Sequence, residues 1–227
     1  MRKFFTLLLL CAAFMDAGAQ QKNVLSRWNP GSYYDLQNNK ITGFIRWNVP
    51  NRSLFKGVGD DFLYRVTVDG DKQKIKTAQF RAFVIGIDSF VVSHNKDLEL
   101  FPILLVLIDR PTKLYVRLRY NQTAVGGFGS GATMFYSNLD RTYYYGPDPD
   151  NVTELDRQHF IAVMSDIVSD KPRLVEKIKN KDYRKGDMED ILDEYYFERN
   201  AQIAKEEAEK KSEEKNKKKG EAKNVDE

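Results

Sequence analysis

Lys113 to Tyr120 alternates cleanly, with Leu114, Val116, Leu118 and Tyr120 on one side and Lys113, Tyr115, Arg117 and Arg119 on the other. Period two marks a strand, and this one predicts a sheet with one solvated face. The same period dominates from Ser32 to Tyr145. Tyr33 to Leu36 and Ile41 to Trp47 read as a hairpin around Gln37-Asn38-Asn39-Lys40, whose asparagines tolerate the positive φ of a tight turn. Phe62 to Val68 is a strand, followed by the turn signal Asp69-Gly70-Asp71-Lys72 and a short Lys-Ile-Lys strand. Phe83 to Ile87 and Ser89 to Ser93 pair around Gly86 or Asp88. Phe101 to Ile108 is apolar almost throughout and predicts a buried strand. Met134 to Ser137 and Arg141 to Tyr145 complete the set as two separate strands.

Beyond Gly146-Pro147-Asp148-Pro149-Asp150 the period changes to 3.6. Phe160, Val163, Met164, Ile167 and Val168 form the stripe of an amphipathic helix. Asp170-Lys171-Pro172 ends it and opens a second helix, with Leu174, Val175 and Ile178 inward and Pro172 in the first turn. A third begins at Gly186-Asp187, with Asp187 as the expected cap and Met188, Ile191, Leu192 and Tyr195 on one side. The apolar stripe ends at Ile203. From Lys205 onward 8 basic and 8 acidic residues share 23 positions, several as Glu-to-Lys i,i+4 pairs that can prolong a solvated helix. The expected fold class is α+β. A mainly antiparallel β domain (20–146) precedes a helical segment packed on it (152–203), then a charged, helical or disordered tail (204–227).

The first 19 residues have another use. Arg2 and Lys3 precede the stretch Phe4 to Met15, broken only by Thr6, and Ala17-Gly18-Ala19 supplies a small-x-small cleavage pattern. Twelve residues fall well short of the roughly 20 that a membrane-spanning helix needs. The expectation is a cleaved signal peptide (1–19) and export to the periplasm, the outer-membrane periphery or the extracellular space, with no transmembrane span in the mature chain.

Cleavage would remove Cys11, the sole cysteine. The mature chain then has neither disulfide nor thiol chemistry, which for an exported protein suits a bacterial envelope. Without Arg2, Lys3 and Asp16 it carries 34 basic and 32 acidic residues. That near balance gives no global attraction to nucleic acid.

Candidate chemistry is sparse. The Gly126 to Gly131 segment, which contains Phe128 and Ser130, lacks the Lys-Ser/Thr of a phosphate loop and the Gly-x-Ser of a nucleophile elbow. It reads as a hairpin loop or a ligand-covering flap. His94 and His159 are too far apart in sequence for a metal motif; His94 is expected to end a strand and His159 to lie on a helix surface. Asp60-Asp61 and Asp148/Asp150 read as turn residues. No catalytic residue, metal site or cofactor is expected. Trp47, Tyr143, Tyr145 and Phe128 are the candidate ligand-binding aromatics, since rings on a sheet can stack sugars.

Four stretches carry a resemblance: GSYYDLQNNKITGFIRW from Gly31, KIKTAQFRAFVIG from Lys74, FPILLVLIDRPTKLYVRLRY from Phe101, and the helical part from Phe160 to Tyr196 with its acid-Lys-Pro break. Together with the Ala19-Gln20 junction they resemble a family of uncharacterised exported proteins of Bacteroidota-type bacteria, in patches over residues 31–200. The resemblance implies location and element order and supplies no catalytic residues. The expected function is a non-enzymatic envelope protein that binds an envelope protein or the cell surface, through the C-terminal helix or tail. The alternative is a glycan- or lipid-binding module using the sheet aromatics beneath the Gly126–Gly131 loop.

Overall fold

The structure, a computed structural model, describes residues 25–51, 61–126 and 133–197, with the backbone alone at 122–126 and 133–137. The predicted signal (1–19), most of the glycine-rich segment including Phe128, and the charged tail (204–227) lie outside the described residues. The chain divides into two compact units between Leu155 and Asp156.

The first unit is one antiparallel sheet of ten described strands. They are β1 (Asn29–Asp35), β2 (Lys40–Arg46), β3 (Asp61–Arg65), β4 (Gln73–Lys76), β5 (Phe80–Ile85), β6 (Asp88–Val92), β7 (Ile103–Ile108), β8 (Lys113–Gly126), β9 (Thr133–Gly146) and β10 (Thr153–Glu154). Their order is β10-β9-β8-β7-β6-β5-β1-β2-β3-β4. The β1–β2 turn places Asn38 at φ 66°, the left-handed value its asparagines suit. Between β5 and β6, Gly86 stands at φ 60°.

Short connections force this sheet to curl. β4 and β5 lie four ladder steps apart, about 19 Å in a flat sheet at ~4.8 Å per step. Yet the chain passes from Lys76 to Phe80 across only Thr77–Gln79, a reach of about 14 Å at most. A second link repeats the argument. β2 and β8 are five steps apart, but four residues beyond Arg46 the carbonyl of Pro50 accepts the Tyr120 N–H at 2.7 Å. Asn51 also bridges to Tyr120 in parallel. The sheet therefore closes on itself as a partial barrel.

Aromatic rings fill the concave face. Phe62 on β3 lies 4.8 Å from Phe80 and 4.9 Å from Phe83, both on β5. Phe83 stacks on Phe90 at 4.6 Å, and Trp47 packs against both. Gly31 and Gly43 face each other across β1 and β2. A Cβ on Gly43 would come within 2.6 Å of the Tyr64 ring, so glycine lets β2 pass this close beneath it.

Two expectations change here. β9 runs unbroken through Asn138-Leu139-Asp140, where a gap between two strands was expected. Those residues stay in register with β8, and Asp140 pairs with Arg119 across the ladder. The convex face is also only partly solvated. Tyr115, expected on the open side, is 1% exposed and joins Leu98, Leu104 and Tyr144 in a second small core. The β6–β7 and β9–β10 loops cross to reach it, with Leu98 and Val152 packed against it.

The second unit has three described helices: α1 (Phe160–Ile167), α2 (Pro172–Lys179) and α3 (Met188–Tyr195). Of the predicted stripes, Phe160, Met164, Ile167, Val168, Leu174, Ile178, Met188 and Ile191 are buried, whereas Val163, Val175, Leu192 and Tyr195, also expected inward, are only half-buried. Pro172 occupies the first turn of α2, where its missing N–H costs nothing. The expected Asp187 cap does not form on α3. Its carboxylate instead accepts the N–H of Arg184, three residues earlier, at 2.8 Å.

Candidate functional site

Each unit carries a cavity. The one in the sheet unit, about 550 Å³, is lined by Thr77, Ala78, Ser93, His94, Lys96 and Glu99 among others. Its wall is the β6–β7 loop, latched to the β9–β10 loop by three consecutive residues. Ser93 Oγ donates to the Pro149 carbonyl at 2.6 Å, the His94 N–H reaches Asp150 at 2.6 Å, and Asn95 Nδ2 donates to the Val152 carbonyl at 3.2 Å. His94 does follow a strand, and its ring Nδ1 lies 3.0 Å from Asp150 Oδ1. Because the Ser93 proton goes to Pro149, Ser93 and His94 do not form a nucleophile–base pair. Asp148 closes a local turn by accepting the N–H groups of Asp150 and Asn151. With the Asn151 side chain as the largest cause, these bonds hold its carboxyl below the usual range. Asp61, expected in a turn, instead begins β3 and pairs with Lys74, while Asp60 lies outside the described residues.

The cavity of the helical unit measures about 500 Å³. It lies where α1 begins, at Phe160 and Ile161, and where the Lys185–Asp187 turn leads into α3. Lys181 owes its place to the end of α2. The Asp182 N–H returns to the Lys177 carbonyl and the Lys181 N–H to the Ile178 carbonyl, a Schellman closure. That closure puts Lys181 at φ 66°, in the position usually given to glycine. Tyr183 is fixed by its hydroxyl donating to Glu194 at 2.8 Å, beside the Lys177–Glu194 pair at 2.7 Å. The Lys177 ammonium, the largest cause, and then the Tyr183 hydroxyl hold the Glu194 carboxyl below its usual range, opposed by some loss of water.

Arg157, Lys181, Arg184 and Lys185 line this cavity, against one carboxylate, Asp187. None of the four cations has an ion-pair partner among the described residues. Elsewhere Lys74, Lys113, Arg119 and Lys177 are each paired with an acid. The cavity is therefore electropositive, and its Arg side chains offer forked donors suited to oxyanions. His159 is exposed just ahead of α1, bonded to Asp156 through both backbone and ring.

The expected aromatic set does not come together. Trp47 is 1% exposed among Phe83 and Phe90, and Tyr143 is 8% exposed. Tyr145 is half-buried, and Phe128 lies outside the described residues. Neither cavity is lined by Trp47, Tyr143 or Tyr145. The cation cluster went unread in sequence, although Lys179-Asn180-Lys181-Asp182-Tyr183-Arg184-Lys185 is a visibly basic inter-helix run. Among the described residues no group of three His, Cys, Asp or Glu has a metal-binding arrangement, and no helix is long and apolar enough to cross a membrane.

Fold and cavities together define an α+β protein with a curled antiparallel sheet and a separate helical unit carrying a basic cavity. Comparison with known protein families, with curated proteins and with solved structures finds no match to the chain.

Proposed function

We propose that this chain is an exported, non-enzymatic binding protein of the cell envelope, akin to the Bacteroidota-type exported proteins its sequence resembles. It engages an envelope partner or the cell surface through its helical unit. The observation that carries this reading is the cavity lined by Arg157, Lys181, Arg184 and Lys185 against the single carboxylate of Asp187, with none of the four cations ion-paired among the described residues. Cations left unpaired around a concavity attract and orient an external anion. The glycan- or lipid-binding alternative finds less support, because Trp47 and Tyr143 are committed to burial.

Two measurements test the reading. Fractionation of cells expressing the full chain is expected to recover it, shortened at its N-terminus, outside the cytoplasm. Tagged full chain is expected to retain a specific component from envelope extracts, and the Arg157→Ala/Arg184→Ala variant to lose it. Cytoplasmic retention of the uncut chain, or equal capture by both proteins, would overturn it.

A further inference from the structure

The geometry points to a multiply charged oxyanion, a phosphate or sulfate ester, as the group bound in the helical-unit cavity; this rests on the reading of that unit as the binding face. Three independent features converge there. First, charge: four cations meet one carboxylate, whose Oδ2 already accepts the Arg184 N–H. A single carboxylate ligand would leave most of that excess unanswered, whereas a phosphoryl group brings close to two charges.

Second, shape. Arg157 and Arg184 supply planar forks that can each take two oxygens of one tetrahedral anion, and Lys181 and Lys185 supply point charges beside them. A cavity of about 500 Å³ admits the anion with part of the sugar, nucleoside or glycerol that bears it. Third, backbone. α1 begins at the cavity, and its first helical bond is that of Val163 to the His159 carbonyl. The N–H groups of Phe160, Ile161 and Ala162 therefore have no acceptor within the helix. The turn leading into α3 meets the same space from the other side. Of the two helix starts, that of α1 presents the positive end of a dipole, with Asp156 accepting the His159 N–H ahead of it, whereas the first turn of α3 carries Glu189 and Asp190.

Lys181 enters this lining at φ 66°, where the Schellman closure sets its Cα–Cβ direction.

The test is calorimetric titration of the full-length protein at low salt with inorganic pyrophosphate and with inorganic sulfate. In parallel, co-sedimentation uses phosphatidylcholine vesicles with and without phosphatidic acid. Binding of pyrophosphate or sulfate that falls at least about tenfold in Arg157→Ala and in Arg184→Ala, with unchanged melting of both variants, supports a soluble ester. Binding to the phosphatidic acid vesicles with the same dependence supports a lipid headgroup. Lys113→Ala, in the other unit, is expected to leave binding unchanged. No binding in any arm, or binding indifferent to Arg157 and Arg184, would overturn the assignment. If the envelope component is still captured through those arginines while every oxyanion fails, the oxyanion assignment alone is lost.

Discussion

His94 places its backbone N–H 2.6 Å from Asp150 Oδ1 and its ring Nδ1 3.0 Å from the same oxygen. One carboxylate thus serves two donors from the loop that covers the Tyr115 core. Removing the imidazole leaves the backbone bond intact, whereas removing the carboxylate breaks both. Asp150→Ala is expected to destabilise the protein by about 1 kcal/mol, and His94→Ala by less than ~0.5 kcal/mol, because an exposed ring–carboxylate contact contributes little. Chemical denaturation of the two variants checks the ranking; equal losses would refute it.

Tyr115 is 1% exposed, and among the described residues its hydroxyl has no hydrogen-bond partner. A buried donor without an acceptor costs about 1–3 kcal/mol. Tyr115→Phe keeps the ring and removes the group, so a gain of roughly 1 kcal/mol is expected. Burial, then the nearby charges of Asp148, Asp109 and Asp150, pushes the Tyr115 phenol up, and burial does the same to Tyr144. A phenol raised in the folded state contributes stability that is complete below its unfolded value, about pH 10, and lost as pH rises beyond it. The variant should lose stability less steeply there. Melting temperatures from about pH 8 to about pH 11, which bracket the unfolded phenol value, read both effects.

Asp35 accepts the N–H groups of Gln37 and Asn39 and the Asn39 side chain, which hold its carboxyl below the usual range, the Asn39 side chain foremost. Glu194 is lowered by Lys177 and Tyr183. A carboxyl depressed on folding contributes stability present above its unfolded value and lost as pH falls through the folded one. Stability is therefore expected to decline below about pH 4. Asp35→Asn is expected to flatten part of that decline; superimposable acid profiles for the two proteins would contradict it.

Lys181 occupies a left-handed position that glycine fills without strain. Lys181→Gly is expected to raise stability by about 0.5–1 kcal/mol while weakening oxyanion binding. A variant that is more stable and binds as well as the parent would remove Lys181 from the site.

Much of the fold is legible along the chain. Asn38, Gly86 and Pro172 mark turns and a helix start by local chemistry, and the Phe160 stripe finds its helix. What escapes is set by contacts distant in sequence. Tyr115 alternates like a surface residue, and its burial depends on loops from both sides. Asn138-Leu139-Asp140 has the composition of a turn, yet pairing with β8 keeps it extended. Asp187 precedes a helix as a cap would, but the N–H of Arg184 takes its carboxylate. The basic cavity assembles Arg157 with Lys181, Arg184 and Lys185 from two segments, and no single window of sequence contains that set.

The short link at Pro50 and Asn51 also orders events in time. The barrel wall that this segment closes is β8, and Tyr120 lies 69 positions after Asn51 by residue number. A chain emerging from its N-terminus has made Trp47, Phe62, Phe83 and Phe90 well before the strand that completes their enclosure exists. Contacts this far apart slow folding and leave apolar rings exposed meanwhile. Closure of the sheet at this point therefore waits until β8 has been made.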